Sequence, residues 1–340
     1  MKDNTNSAAW QPKVGTPLEV GPAEMPVPRE NEILVRNRAI AINPVDWILQ
    51  DNAIFPWLDY PAILGSDVAG EVAAIGSGVT GFKVGDRVLG QSVGATTNQP
   101  THGAFQAFTL IMANMAATIP ASMTFEDAAV IPLGLGTAAC GLFQKDQLGL
   151  HHPSLSPHQT GETVLVWGGS SSVGCNAIQL AVAAGYDCVT TASPRNRQLL
   201  TDLGASHVFD HADPGVVEAI VEALRGKTLA GALHATGDMV ASFAVVSRCQ
   251  GRKFVSTTLP PPEGRAEGVE TNHISGTSLK DNEVSRAVYR DFLSPALAAG
   301  RFQPAPSPDV VGSGLEALQG ALQVQKASVS GQKIVITIDE

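Results

Sequence analysis

The stretch from Thr163 to Gly174 (TVLVWGGSSSVG) constrains the fold of this 340-residue chain more than any other. A short apolar run leads through a turn of glycines and serines into residues 175–184, whose apolar side chains recur at helical spacing. The start of such a helix presents backbone N–H groups and a positive dipole end to an anion. The pattern therefore predicts a pyrophosphate-binding turn made by Gly168, Gly169, Ser170, Ser171, Ser172, Val173 and Gly174. The alternative is an ordinary strand-to-helix turn, because the glycine spacing departs from the strict G-x-G-x-x-G pattern.

From Phe125 onward, the sequence alternates between short apolar runs and helical segments. We predict strands at 164–167, 188–192, 207–209, 231–236 and 252–257, and helices at 171–184, 195–203, 213–225 and 239–249. This order predicts an α/β domain with a doubly wound parallel sheet and right-handed crossovers. Two later helices are predicted at 284–299 and 313–325, on either side of a proline-rich connector at 302–308.

The first part of the chain has a different sequence pattern, which is typical of β-strands. Glu32 to Ile42 alternates apolar and polar residues, and Val68 to Ile75 and Arg87 to Gly90 are further short strands. Many short strands separated by Gly, Pro and Asp predict a compact β-barrel domain. The last strand, 332–338, shows the same alternation, so we expect the C-terminal segment to return to the barrel. The predicted domains are 1–126, 127–275 and, returning to the first, 276–340.

Composition limits the partners of the chain. Its formal net charge of −10 argues against binding to nucleic acid or to an anionic membrane surface. We find no apolar run of membrane-spanning length and no targeting signal in the polar N-terminal segment. The four cysteines form no C-x-x-C pair and are predicted to be reduced core thiols. These features predict a cytoplasmic protein.

The residues after the second predicted strand of the parallel sheet indicate which dinucleotide binds. An NAD site usually has Asp or Glu at this place for the ribose 2′-hydroxyl, whereas cations or hydroxyls suit a 2′-phosphate. Here the strand ends at Ala192 and is followed by Ser193, Arg195 and Arg197, with no acid among residues 193–197. Because Arg matches phosphate with paired N–H donors, we predict NADPH as the cofactor. The alternative is a solvated helix start that happens to contain arginines.

Several motifs together resemble the medium-chain dehydrogenase/reductase family over nearly the full length of the chain. Asn43-Pro44-Val45-Asp46-Trp47, GSDVAGEV (65–72) and GDRV (85–88) resemble the motifs of its N-terminal domain. The turn at 168–174 and the closing VSGQK (329–333) resemble its cofactor turn and last strand. The resemblance implies a GroES-like β-barrel domain plus a Rossmann domain. It also adds Thr137, Leu259 and Lys333 to the expected cofactor contacts.

Many members of this family carry a catalytic zinc, whose ligand positions correspond here to Asn43, Ser66 and Leu133. None of these residues is Cys or His, the ligands that such a zinc needs. The histidines cluster only at 151, 152 and 158 in a polar loop, where side chains are usually solvated. We therefore expect no metal. YPAILG (60–65) and PLGLGT (132–137) resemble the zinc-free branch of quinone oxidoreductases and fungal trans-acting polyketide enoyl reductases.

The resemblance implies NADPH-dependent, metal-free delivery of hydride to an activated C=C bond or to a quinone. Thr137 matches a catalytic position beside the nicotinamide, or else caps a helix that begins there. Tyr60 is a candidate proton donor, or else a packing residue. Many relatives have Lys where this chain has Ile48, which leaves the proton donor unassigned. The predicted substrate pocket, which alternatively only closes the end of the barrel, comprises Asn43, Trp47, Ile48, Phe55, Trp57 and Tyr60.

Two other classes of function stay open at this stage. One is a non-redox isomerase or cyclase on a reductase scaffold, and the other is an NADPH-binding structural protein. The aromatic residues of the pocket suggest a small hydrophobic substrate, free or attached to a carrier protein. The protein is expected to be a monomer or a homodimer.

Overall fold

The computed structural model describes residues 5–261, 263 and 265–338, and the chain divides into two compact units. The first unit comprises Met1–Leu133 and Ser307–Glu340, and the second comprises Gly134–Pro306. The divisions therefore lie after residues 133 and 306, not after 126 and 275 as the sequence patterns suggest. The segment from 276 to 306 belongs to the second unit, where Gln144 donates a hydrogen bond to Ser278 over 2.8 Å.

The described residues form sixteen strands and eleven α-helices. The strands are β1 (Asn6–Gln11), β2 (Glu19–Ala23), β3 (Glu32–Ala41), β4 (Ala62–Ile63), β5 (Asp67–Ile75), β6 (Arg87–Gln91), β7 (Phe108–Met112), β8 (Ala116–Thr118), β9 (Glu162–Trp167), β10 (Asp187–Ala192), β11 (His207–Asp210), β12 (Thr228–His234), β13 (Phe254–Thr257), β14 (Glu270–His273), β15 (Ser307–Ser313) and β16 (Gln332–Thr337). The helices are α1 (Pro44–Asp51), α2 (Gly94–Thr97), α3 (Phe125–Ala129), α4 (Pro132–Phe143), α5 (Ser172–Ala183), α6 (Arg197–Asp202), α7 (Val216–Ala223), α8 (Met239–Arg248), α9 (Glu283–Ser285), α10 (Ser294–Ala298) and α11 (Leu318–Lys326).

Two sheets form the β-structure of the first unit. One has the order β2-β1-β4, and the other has the order β15-β16-β3-β5-β6-β8, with β7 also paired to β3. The C-terminal strand β16 runs antiparallel to β3, with Ile336 opposite Ile40, and both side chains are fully buried. Both strands bury consecutive side chains, 333–336 on β16 and 33–35 on β3, and successive side chains of a strand point to opposite faces, so both faces are covered here.

One edge of the larger sheet differs from the prediction. The expected connector at 302–308 overlaps β15, and the following helix begins at Leu318 instead of 313. β15 contains Pro308 and lies at the sheet edge, beside β16. Proline is tolerated at such an edge because no neighbouring strand needs its missing N–H group. The predicted connector therefore extends too far only at residues 307 and 308, where the edge strand begins.

Six parallel strands form the sheet of the second unit, in the order β11-β10-β9-β12-β13-β14. Chain order reverses between β9 and β12, as in the predicted doubly wound fold. Sequence patterns miss β14 because its residues, ETNH, include no apolar side chain. The predicted helix at 284–299 is present as α9, a π-helical stretch at Arg286–Leu293, and α10. The α/β fold class, with a GroES-like and a Rossmann domain, is confirmed.

The helical stretch Phe125–Phe143 is long and apolar enough, by composition alone, to cross a membrane. It is 19 residues long with a mean hydropathy of 1.2, so the statement that no apolar run reaches spanning length was wrong. Within its 18-residue apolar window, 72% is buried inside the protein. Burial of this kind is what a core helix requires, and it explains the apolar composition.

Candidate functional site

The predicted pyrophosphate turn joins the end of β9 to the start of α5. Ser171 is the residue before the helix, and its hydroxyl accepts a hydrogen bond from the Gly174 N–H over 3.0 Å. The same hydroxyl donates to the Gly168 carbonyl over 2.8 Å, which closes the turn on itself. The first N–H groups of a helix have no carbonyl partner within the helix, and here they follow directly on this rigid turn. The local geometry therefore suits an anion.

The glycines of the turn are required by the protein's own packing. Gly168 has a φ of +86°, and a Cβ there would lie 2.6 Å from the Thr236 carbonyl oxygen. A Cβ on Gly169 would collide with the Thr190 hydroxyl, and one on Gly174 would collide with the Gly168 carbonyl. These contacts bring the start of α5 against the ends of β9 and β10. The glycines thus position the helix as well as leaving room for a ligand.

Three side chains predicted to select the 2′-phosphate follow the end of β10. The Ser193 hydroxyl lies 3.1 Å from Nε2 of His211, and the side chains of Arg195 and Arg197 are exposed. Within the described residues, neither guanidinium takes part in an ion pair or a side-chain hydrogen bond. Two unpaired cations at this edge leave their hydrogen-bonding capacity open to an anionic ligand.

His211 is a residue that the sequence patterns missed. Ala192 and Asp210 are register partners on the parallel strands β10 and β11, so Ser193 and His211 occupy equivalent places just beyond them. The available signal was the position of a histidine directly after a strand neighbouring β10. The carboxyl ends of adjacent parallel strands meet at one sheet edge, and this rule could have placed it. Leu259 follows β13 and is 56% exposed, and its role as a cofactor contact stays a prediction.

Thr137 does not cap a helix. Helix α4 begins at Pro132, so Thr137 lies in its second turn and the capping alternative was wrong. Its side chain is partly exposed, and its Oγ1 faces Gly276, where a Cβ would lie only 2.7 Å away. A hydroxyl in this place contributes nothing to the helix start, which leaves it available for a ligand.

Lys333 lies in a buried polar cluster of the first unit, together with Asn43, Asp46 and Asp67. All four residues are less than 5% exposed. The Lys333 ammonium lies 2.9 Å from Oδ2 of Asp67 and also donates to Oδ1 of Asn43. The Asn43 amide donates to Asp67 over 2.9 Å. Charges buried this deeply persist only when paired and hydrogen-bonded, and these contacts meet that need.

Asp46 carries the most perturbed carboxyl of the cluster. It accepts the Asn43 backbone N–H over 2.7 Å, which ties α1 to the end of β3. Burial raises the pKa of Asp46 to about 7, with a smaller contribution from the nearby Asp67 carboxylate. Lys333 and the hydrogen bonds from Asn43 oppose this rise. The expected structural role of Asp46 fits these contacts.

The three positions that correspond to zinc ligands meet around Asp67. Its carboxylate binds the Asn43 amide and the Leu133 N–H, the latter over 2.5 Å, and Ser66 precedes it in the chain. No three His, Cys, Asp or Glu residues within the described part of the chain are grouped so that they could hold a metal ion. The loop histidines pack separately, His151 against Tyr186 and His152 against Phe143.

The predicted pocket aromatics of the first unit lie partly on a helix. Helix α1 carries Trp47 and the half-buried Ile48. The Trp47 indole donates to Gln325 over 2.7 Å, so its N–H group is held by α11. Phe55 and Trp57 stack with ring centroids 4.8 Å apart, and Trp57 is 51% exposed. Trp57 is the one exposed member of this aromatic set, and Trp47, Phe55 and Tyr60 are partly buried.

Tyr60, the second predicted catalytic residue, points its hydroxyl at the protein backbone. The hydroxyl donates to the Leu49 carbonyl over 3.4 Å, and the ring packs against the core of the first unit. Partial burial raises the pKa of Tyr60 above its ordinary value of 10.0. A phenol of raised pKa is a weaker proton donor, so these contacts favour packing for Tyr60.

Known proteins match the sequence of this chain over almost its whole length. The alcohol dehydrogenase GroES-like domain model matches residues 29–132. The dehydrogenase azaJ of Aspergillus niger is 48% identical, over 98% of this chain and 99% of that protein. The trans-enoyl reductase himH of Aspergillus japonicus is 42% identical, over 99% of both chains.

Solved structures match both units. An alcohol dehydrogenase superfamily protein from Novosphingobium aromaticivorans superposes with a TM-score of 0.80 at 25% identity, covering 98% of this chain and all of that one. The CurK enoyl reductase matches with a TM-score of 0.76 at 19% identity, over 98% and 99% of the chains. The latter match shows the fold alone. Sequence identity of 42–48% to these fungal enzymes, over nearly the whole chain, identifies this protein as an oxidoreductase of the medium-chain dehydrogenase/reductase family.

Proposed function

We propose that this protein is an NADPH-dependent reductase of activated C=C bonds, and that it acts without a metal ion. The observation that carries the proposal is the pair of exposed, unpaired arginines after β10, on a chain 42% identical to a trans-enoyl reductase. An enone or enoyl thioester is the substrate class this family assignment favours. A quinone reductase is the alternative that the experiment below distinguishes.

The described residues fit NADPH at two places of the second unit. The Gly168–Gly174 turn presents the start of α5 to a pyrophosphate, and Ser193, Arg195 and Arg197 present a hydroxyl and two cations to a 2′-phosphate. An acid able to bind the ribose 2′-hydroxyl does not follow β10. When bound, NADPH supplies the hydride. The protein supplies binding, orientation and the hydrogen bonds around the reacting atoms.

Reduction of an activated C=C bond places negative charge on the neighbouring carbonyl oxygen. Hydrogen-bond donors fixed in advance stabilise such charge. We assign the Thr137 hydroxyl to contact with the cofactor or the substrate, because it is partly exposed and not used in capping its helix. The α-carbon must then gain a proton, and water is our candidate donor because the Tyr60 hydroxyl already donates to Leu49.

We propose a reaction without a metal ion because of the charges and hydrogen bonds in the buried cluster of Asn43, Asp46, Asp67 and Lys333. Asn43 and the backbone of Leu133 bind Asp67, and the Lys333 ammonium adds a fixed positive charge beside them. A divalent cation in the same place would meet that ammonium and find no Cys or His ligand. We also propose a hydrophobic substrate, since Phe55 and Trp57 form a stacked pair that is accessible to solvent.

The proposal is tested by mixing purified protein and NADPH with a panel of enones, enoyl thioesters and quinones. Absorbance of the nicotinamide is followed together with the product mass. Loss of NADPH with a two-hydrogen mass gain on an enone supports the proposal. Oxidation of NADPH only by quinones would replace it with the quinone reductase alternative. Isomerised product at constant NADPH, or no reaction with any compound, would contradict it.

A further inference from the structure

One face of α4 receives the chain segment that follows β14. Thr137, Cys140, Gly141 and Gln144, the last just beyond the helix end, are spaced so that they share one side of the helix. Residues 274–278, which we name the strap, run along this face. Both elements belong to the second unit. The contacts between them involve every one of these four positions.

Three contacts fix the strap to the helix. Gly141 leaves room for Ile274, because a Cβ on that glycine would lie 2.7 Å from the Ile274 side chain. The Cys140 thiol donates to the Ser275 carbonyl over 3.3 Å, and burial raises its pKa to about 12, so the thiol keeps its proton. Gln144 donates to the Ser278 hydroxyl over 2.8 Å. The strap is therefore held on both sides of Gly276.

The fourth contact is between Gly276 and Thr137. A Cβ on Gly276 would lie 2.7 Å from the Thr137 Oγ1 and 3.5 Å from the Thr137 Cα. The first distance is too short for real atoms, so an added methyl group would displace the hydroxyl or the strap. Gly276 has no positive φ, so its backbone conformation does not itself require glycine. What requires glycine here is the space that the hydroxyl occupies.

We propose that Gly276 is a positioning residue for the Thr137 hydroxyl, because the fixed strap and the missing side chain together define the space in which that hydroxyl sits. This inference rests on the proposed function, in which Thr137 contacts cofactor or substrate. It adds a residue whose proposed effect on the reaction passes through the position of the Thr137 hydroxyl.

A double-mutant cycle tests the proposal. Gly276→Ala, Thr137→Ala and the double variant are compared with the natural protein for kcat/KM and for NADPH affinity. The methyl group added by Gly276→Ala should displace the Thr137 Oγ1 and lower kcat/KM about tenfold, because a small misplacement of a positioned group costs rate. In the Thr137→Ala background, where Oγ1 is gone, the same change should lower kcat/KM less than about twofold. Equal losses in both backgrounds would overturn the proposal.

Control variants separate positioning from stability. Thr137→Ser keeps a hydroxyl and should lose less kcat/KM than Thr137→Ala does. Gly320→Ala is a matched control within α11, where a Cβ meets nothing within 4 Å, so activity should be unchanged. If Gly276→Ala proves unstable, Thr137→Ala should restore its melting temperature, since removing Oγ1 removes the collision. A melting temperature that stays equally low in the double variant would overturn the proposal.

Failure of the proposed function would be recognised separately. In that case the natural protein would reduce none of the enones or quinones, and the cycle would be measured on NADPH affinity alone. A loss of affinity in Gly276→Ala that disappears in the Thr137→Ala background would still support the role of Gly276. Additive losses of affinity would overturn it whatever the reaction is.

Discussion

The buried cluster of the first unit and the exposed cations of the second unit use the same chemistry in opposite ways. Lys333 has 5% of its side chain exposed and pairs with Asp67, whereas Arg195 and Arg197 are exposed and have no ion pair within the described residues. A buried charge must be satisfied by the protein itself, so it fixes structure. An exposed cation at a sheet edge is satisfied by water until a ligand arrives. Pairing within the protein, more than residue type, therefore separates Lys333 from the two arginines that we propose as ligands of the 2′-phosphate.

The largest effect is expected from breaking the buried pair. Lys333→Met leaves the Asp67 carboxylate buried without its cation, which costs about 3–5 kcal/mol of unfolding free energy. Urea denaturation followed by tryptophan fluorescence measures this loss. Lys83→Met is the matched control, because Lys83 pairs with Asp86 on the surface and its side chain is 83% exposed. That control should lose less than about 1 kcal/mol. Similar losses of unfolding free energy in Lys333→Met and Lys83→Met would show that the buried ion pair is no more important for stability than the exposed one.

A smaller effect is expected from the buried acid beside that pair. The pKa of Asp46 is about 7 in the folded protein, above its ordinary value of 3.8. Between these values the folded state keeps a proton that the unfolded state releases, so stability falls as pH rises from about 4 to 7. The fall is on the order of a few kcal/mol at most. Asp46→Asn, which can still accept the Asn43 N–H, should flatten this part of the pH profile of the melting temperature. An unchanged slope would show that other groups cause it.

The exposed cations should affect binding and leave stability alone. Arg195→Ala combined with Arg197→Ala removes two cations that we assign to the 2′-phosphate, and should weaken NADPH binding by about tenfold to a hundredfold. NADH binding, measured by the same fluorescence titration, should change less than about threefold. The melting temperature should stay within experimental error, since neither guanidinium is paired within the described residues. Equal losses for NADPH and NADH would contradict the NADPH assignment.

The same contrast explains which features could be predicted from the sequence. The glycine-rich turn at 168–174 and the arginines after β10 are local patterns, in which a strand, a turn and a helix start follow within a few residues. The buried cluster joins residues 43, 67 and 333, which no spacing rule connects, and only the family resemblance singled out Asn43 and Lys333. Strands β14 and β15 were missed because one is polar and the other contains proline, both of which an edge strand tolerates. The strap on α4 depends on tertiary packing alone.

The smallest effect on stability and activity is expected from changing Tyr60. This residue tests, on a hydroxyl group instead of a charge, whether pairing within the protein marks a structural group. Its hydroxyl donates to the Leu49 carbonyl over 3.4 Å, a long hydrogen bond inside the protein. If pairing within the protein marks a structural group, Tyr60→Phe should cost less than about 1 kcal/mol of stability and change kcat/KM less than about threefold. Retained activity would leave water as the source of the proton. A loss of a hundredfold or more in kcat, with KM unchanged, would instead make Tyr60 the proton donor, because general acid catalysis contributes about that much. The hydrogen bond to Leu49 would then orient the phenol of Tyr60 between turnovers. Pairing within the protein would in that case no longer distinguish structural groups from functional ones.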